Sequence, residues 1–209
     1  WFLILSPVFV LLLSRVGVEL SKDYFPKETA WIPSFIIYYS AILLVIFTIK
    51  MCGADFPAKT SLWNIRSIPT PKLLFIGIIF PALLPLGLFI INIKYVPINF
   101  IFYIFLFALV NSFFEETYWR KTLSRLPFNK ITTLLISATL FSFSHYFLWG
   151  FWLNNHTLIP TLISTFVMGI CWMWFFQKQK SIPFLILSHF LVDIFNLSVA
   201  IFCGIPLKF

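Results

Sequence analysis

The amino-acid sequence predicts an all-α fold, a polytopic membrane helix bundle, and its composition is the first observation that does so. Of the 209 residues, 60% are hydrophobic, 21% are aromatic and only 11% are charged. Soluble domains contain about 25% charged residues, so this chain falls outside the soluble class. The same composition excludes a disordered chain, a collagen, a coiled coil and a disulfide scaffold.

The second observation is the length of the apolar stretches. A bilayer core about 30 Å thick requires roughly 20 apolar residues in a helix. Seven stretches approach that length, so we expect about seven transmembrane helices, or eight if one more lies at an end. They cover residues 1–14, 30–49, 73–93, 98–119, 131–151, 157–176 and 182–203. Because no repeat, low-complexity tract or second domain interrupts them, residues 1–209 are predicted to form a single integral-membrane domain.

Positive charge is concentrated between the apolar stretches, and this is the third observation. The net charge of +8 is therefore assigned to membrane topology and anionic lipid headgroups, and no basic cluster indicates nucleic acid. The segments after the second, fourth and sixth stretches hold nine Lys and Arg residues, whereas the segments on the other side of the membrane hold five. Arg120 is left out of this count because it lies beside the buried acids considered below. We therefore expect a cytoplasmic N-terminus. Frequent Phe, Ile and Lys with little Ala or Gly favours a prokaryotic plasma membrane.

Three of the seven acidic residues lie within apolar sequence, where they need partners. They are Glu115, Glu116 and Asp193. A charged side chain at the centre of a membrane helix costs on the order of 2.5 to 3.5 kcal/mol. His145 and His189 lie in the fifth and seventh stretches, whereas His156 is expected to be a loop residue. One buried Glu or His could be interhelical glue, but polar groups from three helices indicate a common site in the bundle interior.

Helical spacing assigns these groups to faces. Glu116 and Arg120 are four residues apart on one face, so an ion pair is available; a snorkelling cation at the membrane edge is the alternative for Arg120. Glu115 points about 100° away from Glu116, which predicts different partners for the two carboxylates. Phe141 stands four residues before His145 and is expected to stack beneath it.

Depth along the helices predicts which of these groups meet. Counted at 1.5 Å per residue from the turns that precede or follow them, the buried groups fall within one band of the membrane. Antiparallel neighbours can then bring Glu115 and His145 together. The last helix must pack against that pair to contribute His189 and Asp193, which are four residues apart on one face.

Three short motifs carry a resemblance to a known family. They are Glu115-Glu116-Thr-Tyr-Trp-Arg120, Phe141-Ser-Phe-Ser-His145 and His189-Phe-Leu-Val-Asp193. In this order they resemble the patterns E-E-x-x-x-R, F-x-x-x-H and H-x-x-x-N or D of the CAAX-protease and bacteriocin-processing family. That family comprises intramembrane endopeptidases related to the type II CAAX prenyl proteases. The resemblance covers about residues 98–203, the motif-bearing core.

The resemblance implies a helical bundle with a water-accessible cavity that hydrolyses a peptide bond in a membrane-associated protein or peptide. Carried over by position, Glu115 would activate the attacking water, and His145 would share or orient that proton. Glu116 and Arg120 would hold the first motif in place. The third motif, through its histidine and the residue four later, would stabilise the oxyanion or bind a metal.

Asp193 departs from the usual family pattern, which often has an asparagine able to donate a hydrogen bond to an oxyanion. Ionised aspartate cannot donate. Asp193 is either kept protonated by apolar surroundings, or ligates a divalent metal such as zinc with His145 and His189, or fixes the tautomer of His189. Because H-E-x-x-H is absent, metal-dependent and metal-free mechanisms both stay open.

Two other classes of function also stay open. One is a non-catalytic family member that acts in bacteriocin self-immunity or as a membrane scaffold. The other is an ion-coupled transporter, since membrane Glu, His and Asp also build ion pathways, although no inverted repeat is present. The expected partners are the lipid bilayer and a membrane-associated peptide or protein, and the sequence leaves the substrate and the oligomeric state open.

Overall fold

A computed structural model describes residues 1–52 and 68–207, and these residues form helices and no strand. The helices are α1 (Phe2–Tyr24), α2 (Trp31–Met51), α3 (Pro71–Leu74), α4 (Phe80–Asn92), α5 (Ile98–Glu115), α6 (Lys130–Trp149), α7 (Asn155–Gln179), α8 (Pro183–Phe195) and α9 (Ser198–Phe202). One π-helical segment, Phe75–Ile79, joins α3 to α4, and a second, Glu116–Thr122, continues α5. The predicted all-α fold is confirmed.

Six helices within the described ranges are long and apolar enough to cross a membrane. They are Phe2–Tyr24, Trp31–Met51, Pro71–Tyr95, Ile98–Arg125, Lys130–Trp149 and His156–Gln179. The predicted polytopic bundle is therefore confirmed, but the last predicted stretch is not one continuous span. Leu197 adopts a left-handed backbone conformation with φ of 54°, which separates the 13-residue α8 from the short α9.

The first helix is longer than predicted. It continues past residue 14 to Tyr24, so Arg15, Glu19 and Lys22 lie within α1 and not in the following loop. Arg15 and Lys22 each form an ion pair with Glu19, at i,i+4 and i,i+3 spacing on a solvent-accessible face. This mutual compensation of charge supports the extra helical turns.

The orientation of the chain stays a prediction. Three of the cations on which it was based, Lys59, Arg66 and Lys208, lie outside the residues that the structure describes. Two more, Arg15 and Lys22, lie in a helix, as described above.

The packing of the later helices brings the three motifs together. α6 packs against α7, and α5 and α4 both pack against α8. The approach of α6 to α7 is close because Gly169 faces Ala138: a Cβ atom on Gly169 would lie 3.0 Å from the Ala138 Cα. Small residues permit such close helix packing in membranes. An aromatic cluster that includes Phe107, Trp149 and Phe202 fills the space beside the site.

Candidate active site

The two adjacent glutamates lie where an α-helix changes into a π-helix. Glu115 is the last residue of α5, and Glu116 is the first residue of the π-helical segment. A π-helix has wider turns than an α-helix and is frequent at functional sites. Both carboxylates consequently reach the same imidazole, that of His189. The prediction of different partners is only partly right, because they share His189 and differ in their remaining contacts.

Glu115 is held by a hydrogen-bond chain from α2. The Tyr38 hydroxyl donates to Glu115 Oε1 at 2.7 Å, and Trp119 Nε1 donates to the Tyr38 hydroxyl at 2.9 Å. An indole N–H can only donate, so the tyrosine proton is directed to the glutamate. The second oxygen, Oε2, is buried without a hydrogen bond and lies 3.5 Å from His189 Nε2.

Glu116 links His189 to Arg120. Its Oε1 lies 2.7 Å from His189 Nδ1, and its Oε2 lies 3.3 Å from Arg120 Nε, an ion-pair distance without hydrogen-bond geometry. Arg120 is fully buried, with its guanidinium 4.1 Å from the Phe141 ring centre and 4.8 Å from that of Trp172. The ion pair is therefore present, and Arg120 does not snorkel to a membrane edge.

The His189 ring is held by a hydrogen bond at Nδ1 and by stacking on one face. Glu116 faces a guanidinium, so we assign it as a carboxylate that accepts a proton from His189 Nδ1. The other nitrogen, Nε2, lies 3.5 Å from Glu115 Oε2 and 3.6 Å from Asp193 Oδ2. Trp172 stacks on the ring with centroids 4.6 Å apart. Nε2 thus lies between two carboxyl groups.

Asp193 has a partner that the sequence analysis missed. Asn111 Nδ2 donates to Asp193 Oδ2 at 3.0 Å, and the Tyr39 hydroxyl donates to Asn111 Oδ1 at 3.0 Å. Asn111 stands four residues before Glu115 in an apolar stretch, and that spacing was a usable signal. Tyr38 and Tyr39 gave no such signal, since tyrosines in an apolar stretch are ordinary.

His145 contacts Phe141 and is not hydrogen-bonded to the two glutamates. Its Nδ1 is 2.9 Å from the Phe141 carbonyl oxygen and therefore carries the proton, which leaves Nε2 as an acceptor in the neutral ring. Phe141 meets the imidazole edge to face, at 4.7 Å and 74°, and does not stack beneath it. No hydrogen bond or ion pair joins His145 to Glu115. The structure does not bring that predicted pair into contact.

A cavity of about 450 Å³ opens beside these groups. His145, His189 and Asp193 line it, whereas the two glutamates lie behind His189 and do not. Residues of α4 and α7 line much of the rest, together with others that include Val192, Asn196 and Ile201. His156 also lines the cavity. It lies in α7, because Asn154 caps that helix by accepting from Thr157 N at 3.0 Å and the helix begins at residue 155. The prediction that His156 is a loop residue is wrong.

The described residues do not form a set of ligands that is ready to bind a metal ion. Within residues 1–52 and 68–207, no group of three His, Cys, Asp or Glu side chains is arranged to hold a metal ion. His145, His189 and Asp193 all line the cavity, and hydrogen bonds at Nδ1 leave Nε2 of each histidine as the nitrogen that a metal would use, but the three side chains do not converge on one point. These residues do not fit a three-ligand zinc site in this arrangement, so no catalytic step is derived through a metal, and metal dependence stays a prediction.

Fold and site together define a multi-pass helical membrane protein with a buried cluster of carboxylates and histidines beside a cavity. Residues 97–195 match the family described as type II CAAX prenyl endopeptidase Rce1-like. The match covers all three motifs and confirms the resemblance of the motif-bearing part of this chain to the CAAX-protease family. No curated protein and no solved structure matches the chain.

Proposed function

We propose that this protein is an intramembrane endopeptidase that hydrolyses a peptide bond in a membrane-associated protein or peptide. One observation carries the proposal: Glu115 Oε2 and Asp193 Oδ2 lie on either side of His189 Nε2, at 3.5 and 3.6 Å, beside a cavity that His145 also lines. Peptide hydrolysis needs a base, a nucleophilic water and donors for the developing oxyanion. These groups can supply all three functions.

Glu115 is the general base in this proposal. Its Oε1 is engaged by Tyr38, so the free oxygen, Oε2, takes the proton from a water held against His189 Nε2. The distance of 3.5 Å between Oε2 and Nε2 is longer than a hydrogen bond. Catalytic hydrogen bonds are often long before substrate binds, and a water bonded to both atoms fits that separation.

The remaining steps use the cavity-facing groups. The oxygen of the water bonds to the scissile carbonyl carbon, and its proton passes to Glu115. The carbon–nitrogen bond then breaks, and the proton returns to the leaving amine, with His145 Nε2 positioned on the cavity wall to relay it. Asp193 or His189 faces the oxyanion, and His189 can donate to it through Nε2 only when doubly protonated, because its Nδ1 proton goes to Glu116. Asp193 can contribute as a donor only when protonated, and the hydrogen bond from Asn111 is compatible with either state.

Comparative peptidomics tests the function directly. Membranes that express the wild-type protein or the Glu115→Gln variant at equal levels are compared for released peptides and newly formed termini. Endopeptidase activity predicts termini that are present only with the wild-type protein. Identical peptidomes, with bacteriocin self-immunity retained in the variant, would instead support a non-catalytic role, and proton or metal flux in liposomes would support a transporter. Repeating the comparison after chelation separates the metal-dependent mechanism from the metal-free one.

Tyr38 is a positioning residue in this mechanism, and its hydroxyl is expected to matter for the rate. Tyr38→Phe removes the donor to Glu115 Oε1 and lets the carboxylate rotate. Hydrogen bonds to charged groups contribute about 1.5 to 3 kcal/mol, so we expect kcat to fall about 10- to 100-fold with KM unchanged. Steady-state kinetics on a cleaved peptide measure this split between kcat and KM.

The matched control is Tyr118→Phe. Tyr118 is also fully buried, but its hydroxyl is hydrogen-bonded to Ser6, at 3.1 Å, and not to the glutamates. Loss of the Tyr118 hydroxyl should leave kcat within a fewfold of the wild-type value. Equal effects of the two substitutions, or a rise in KM alone for Tyr38→Phe, would remove Tyr38 from the mechanism.

A further inference from the structure

We infer that α7 carries a binding face for the backbone of an extended peptide, along one wall of the cavity. The inference rests on the proposed function, because it describes how a peptide substrate lies in that site. The face consists of every serine and threonine in α7, and all of them line the cavity: Thr157, Thr161, Ser164 and Thr165. On the opposite side of the helix, Ile159 and Ile163 are each 61% exposed and available to lipid.

The hydroxyl protons of this face point away from the cavity, into the helix backbone. Thr161 Oγ1 donates to the Thr157 carbonyl and Thr165 Oγ1 to the Thr161 carbonyl, each at 2.8 Å. Thr157 Oγ1 donates to the Asn154 carbonyl at 3.1 Å. A hydroxyl that has donated its proton retains lone pairs and can still accept. The face therefore offers acceptors, and its complement is a row of N–H donors.

The spacing of the acceptors matches an extended backbone. Thr157, Thr161 and Thr165 recur every four residues, which corresponds to a rise of about 6 Å in an α-helix. The N–H groups on one edge of an extended peptide recur every two residues, at about 6.6 to 6.8 Å. The mismatch is below about 1 Å per step, so neighbouring hydroxyls can accept from alternate N–H groups. A lipid acyl chain has no donor to offer.

The wall that α4 contributes to the cavity gives no competing polar recognition. α4 contributes Leu84, Pro85 and Leu88, none of which has a hydrogen-bonding side chain. Recognition of a substrate backbone along these two walls therefore falls on α7, while α4 supplies apolar contact. A peptide held in this way need not have a particular polar side chain.

The face also runs past the reactive groups. Ser142 Oγ of α6 donates to the Leu162 carbonyl of α7 at 2.7 Å, which fixes the register between the two helices. Because the helices are antiparallel, His145, about one turn further along α6, is level with residue 159 of α7, between Thr157 and Thr161. A peptide aligned with the face thus passes His145, and the same cavity exposes it to His189 and Asp193.

Binding of a defined peptide tests the inference. The probe is a dansylated decapeptide of alternating leucine and alanine, together with an analogue in which alternate amide N–H groups are replaced by ester oxygens. Both are titrated in detergent micelles against Glu115→Gln protein, with and without Thr161→Val and Thr165→Val. We expect the double valine substitution to weaken decapeptide binding about tenfold, as loss of two neutral hydrogen bonds predicts. The ester analogue should bind the protein with both threonines about as weakly as the decapeptide binds the valine form. The valine substitutions should not weaken binding of the ester analogue any further.

Two matched variants separate this role from packing. Thr161→Ser with Thr165→Ser keeps both hydroxyls and should retain binding. Thr133→Val removes a buried hydroxyl on α6 that does not line the cavity and donates to the Phe128 carbonyl at a distance of 3.4 Å. This variant should also retain decapeptide binding. Absence of decapeptide binding, or equal binding of amide and ester probes to the threonine form, overturns the inference. If this binding pattern is observed but the wild-type protein cleaves no peptide, the proposed hydrolysis is refuted and the binding face is not.

Discussion

Glu115→Gln is expected to lower kcat about 10²- to 10⁴-fold, the range over which a positioned general base contributes. Glutamine has nearly the same volume and keeps an oxygen that can accept from Tyr38. It cannot, however, take a proton from water. The buried site should therefore keep its shape, and the thermal unfolding midpoint in detergent should stay close to that of the wild-type protein. The measurement is single-turnover cleavage of a peptide identified by peptidomics.

The partly exposed acid Glu19 supplies the control for this substitution. Glu19→Gln makes the same chemical change in α1, where the carboxylate pairs with Arg15 and Lys22 on an accessible face. Its cleavage rate should equal that of the wild-type protein. Retention of more than a tenth of the wild-type kcat in Glu115→Gln would show that another group activates the water.

The sequence was sufficient to predict buried pairing wherever the cost of burying charge decided the outcome. Charged side chains within a membrane are expensive, so Glu116 in apolar sequence needed a partner, and four-residue spacing made an ion pair with Arg120 available beside the alternative of a snorkelling arginine. The structure has that pair at 3.3 Å. Asn111 follows the same logic and could have been included. Tyr38 could not, because burying a tyrosine in an apolar helix is inexpensive and leaves no trace in the sequence.

Counting residues along a helix predicted depth but not direction. Glu115 and His145 were expected to meet because their axial positions are similar. Rotation about each helix axis decides which side chains face each other, and a count of residues along the axis does not give that rotation. In the structure, Glu115 faces Tyr38 and His189. The Phe141 carbonyl holds His145 through Nδ1 instead.

Charge compensation also explains where helix ends were mispredicted. Arg15 and Lys22 were treated as loop residues because cations normally end an apolar stretch. In the structure both pair with Glu19 along one face, so α1 continues to Tyr24. The break at Leu197 was missed because a leucine with left-handed backbone geometry is uncommon and has no sequence signature.

Glu116→Gln is expected to destabilise the protein by about 3 to 5 kcal/mol, because it leaves a buried cation without its partner. Arg120 is fully buried, and its Nε is 3.3 Å from Glu116 Oε2. The aromatic rings of Phe141 and Trp172 on the guanidinium cannot replace a full negative charge. Reversible unfolding of the purified protein in mixed micelles measures the loss.

Removal of the second charge should reverse most of that loss. In Glu116→Gln with Arg120→Met, the unpaired cation is gone, and methionine, which packs well against aromatic rings, occupies the space beside Phe141 and Trp172. A double variant as unstable as Glu116→Gln alone would show that packing of the arginine, and not charge pairing, stabilises this region. If the double variant regains stability but not cleavage, the pair acts in catalysis by holding His189 through Glu116 Oε1, a role that an apolar replacement cannot supply.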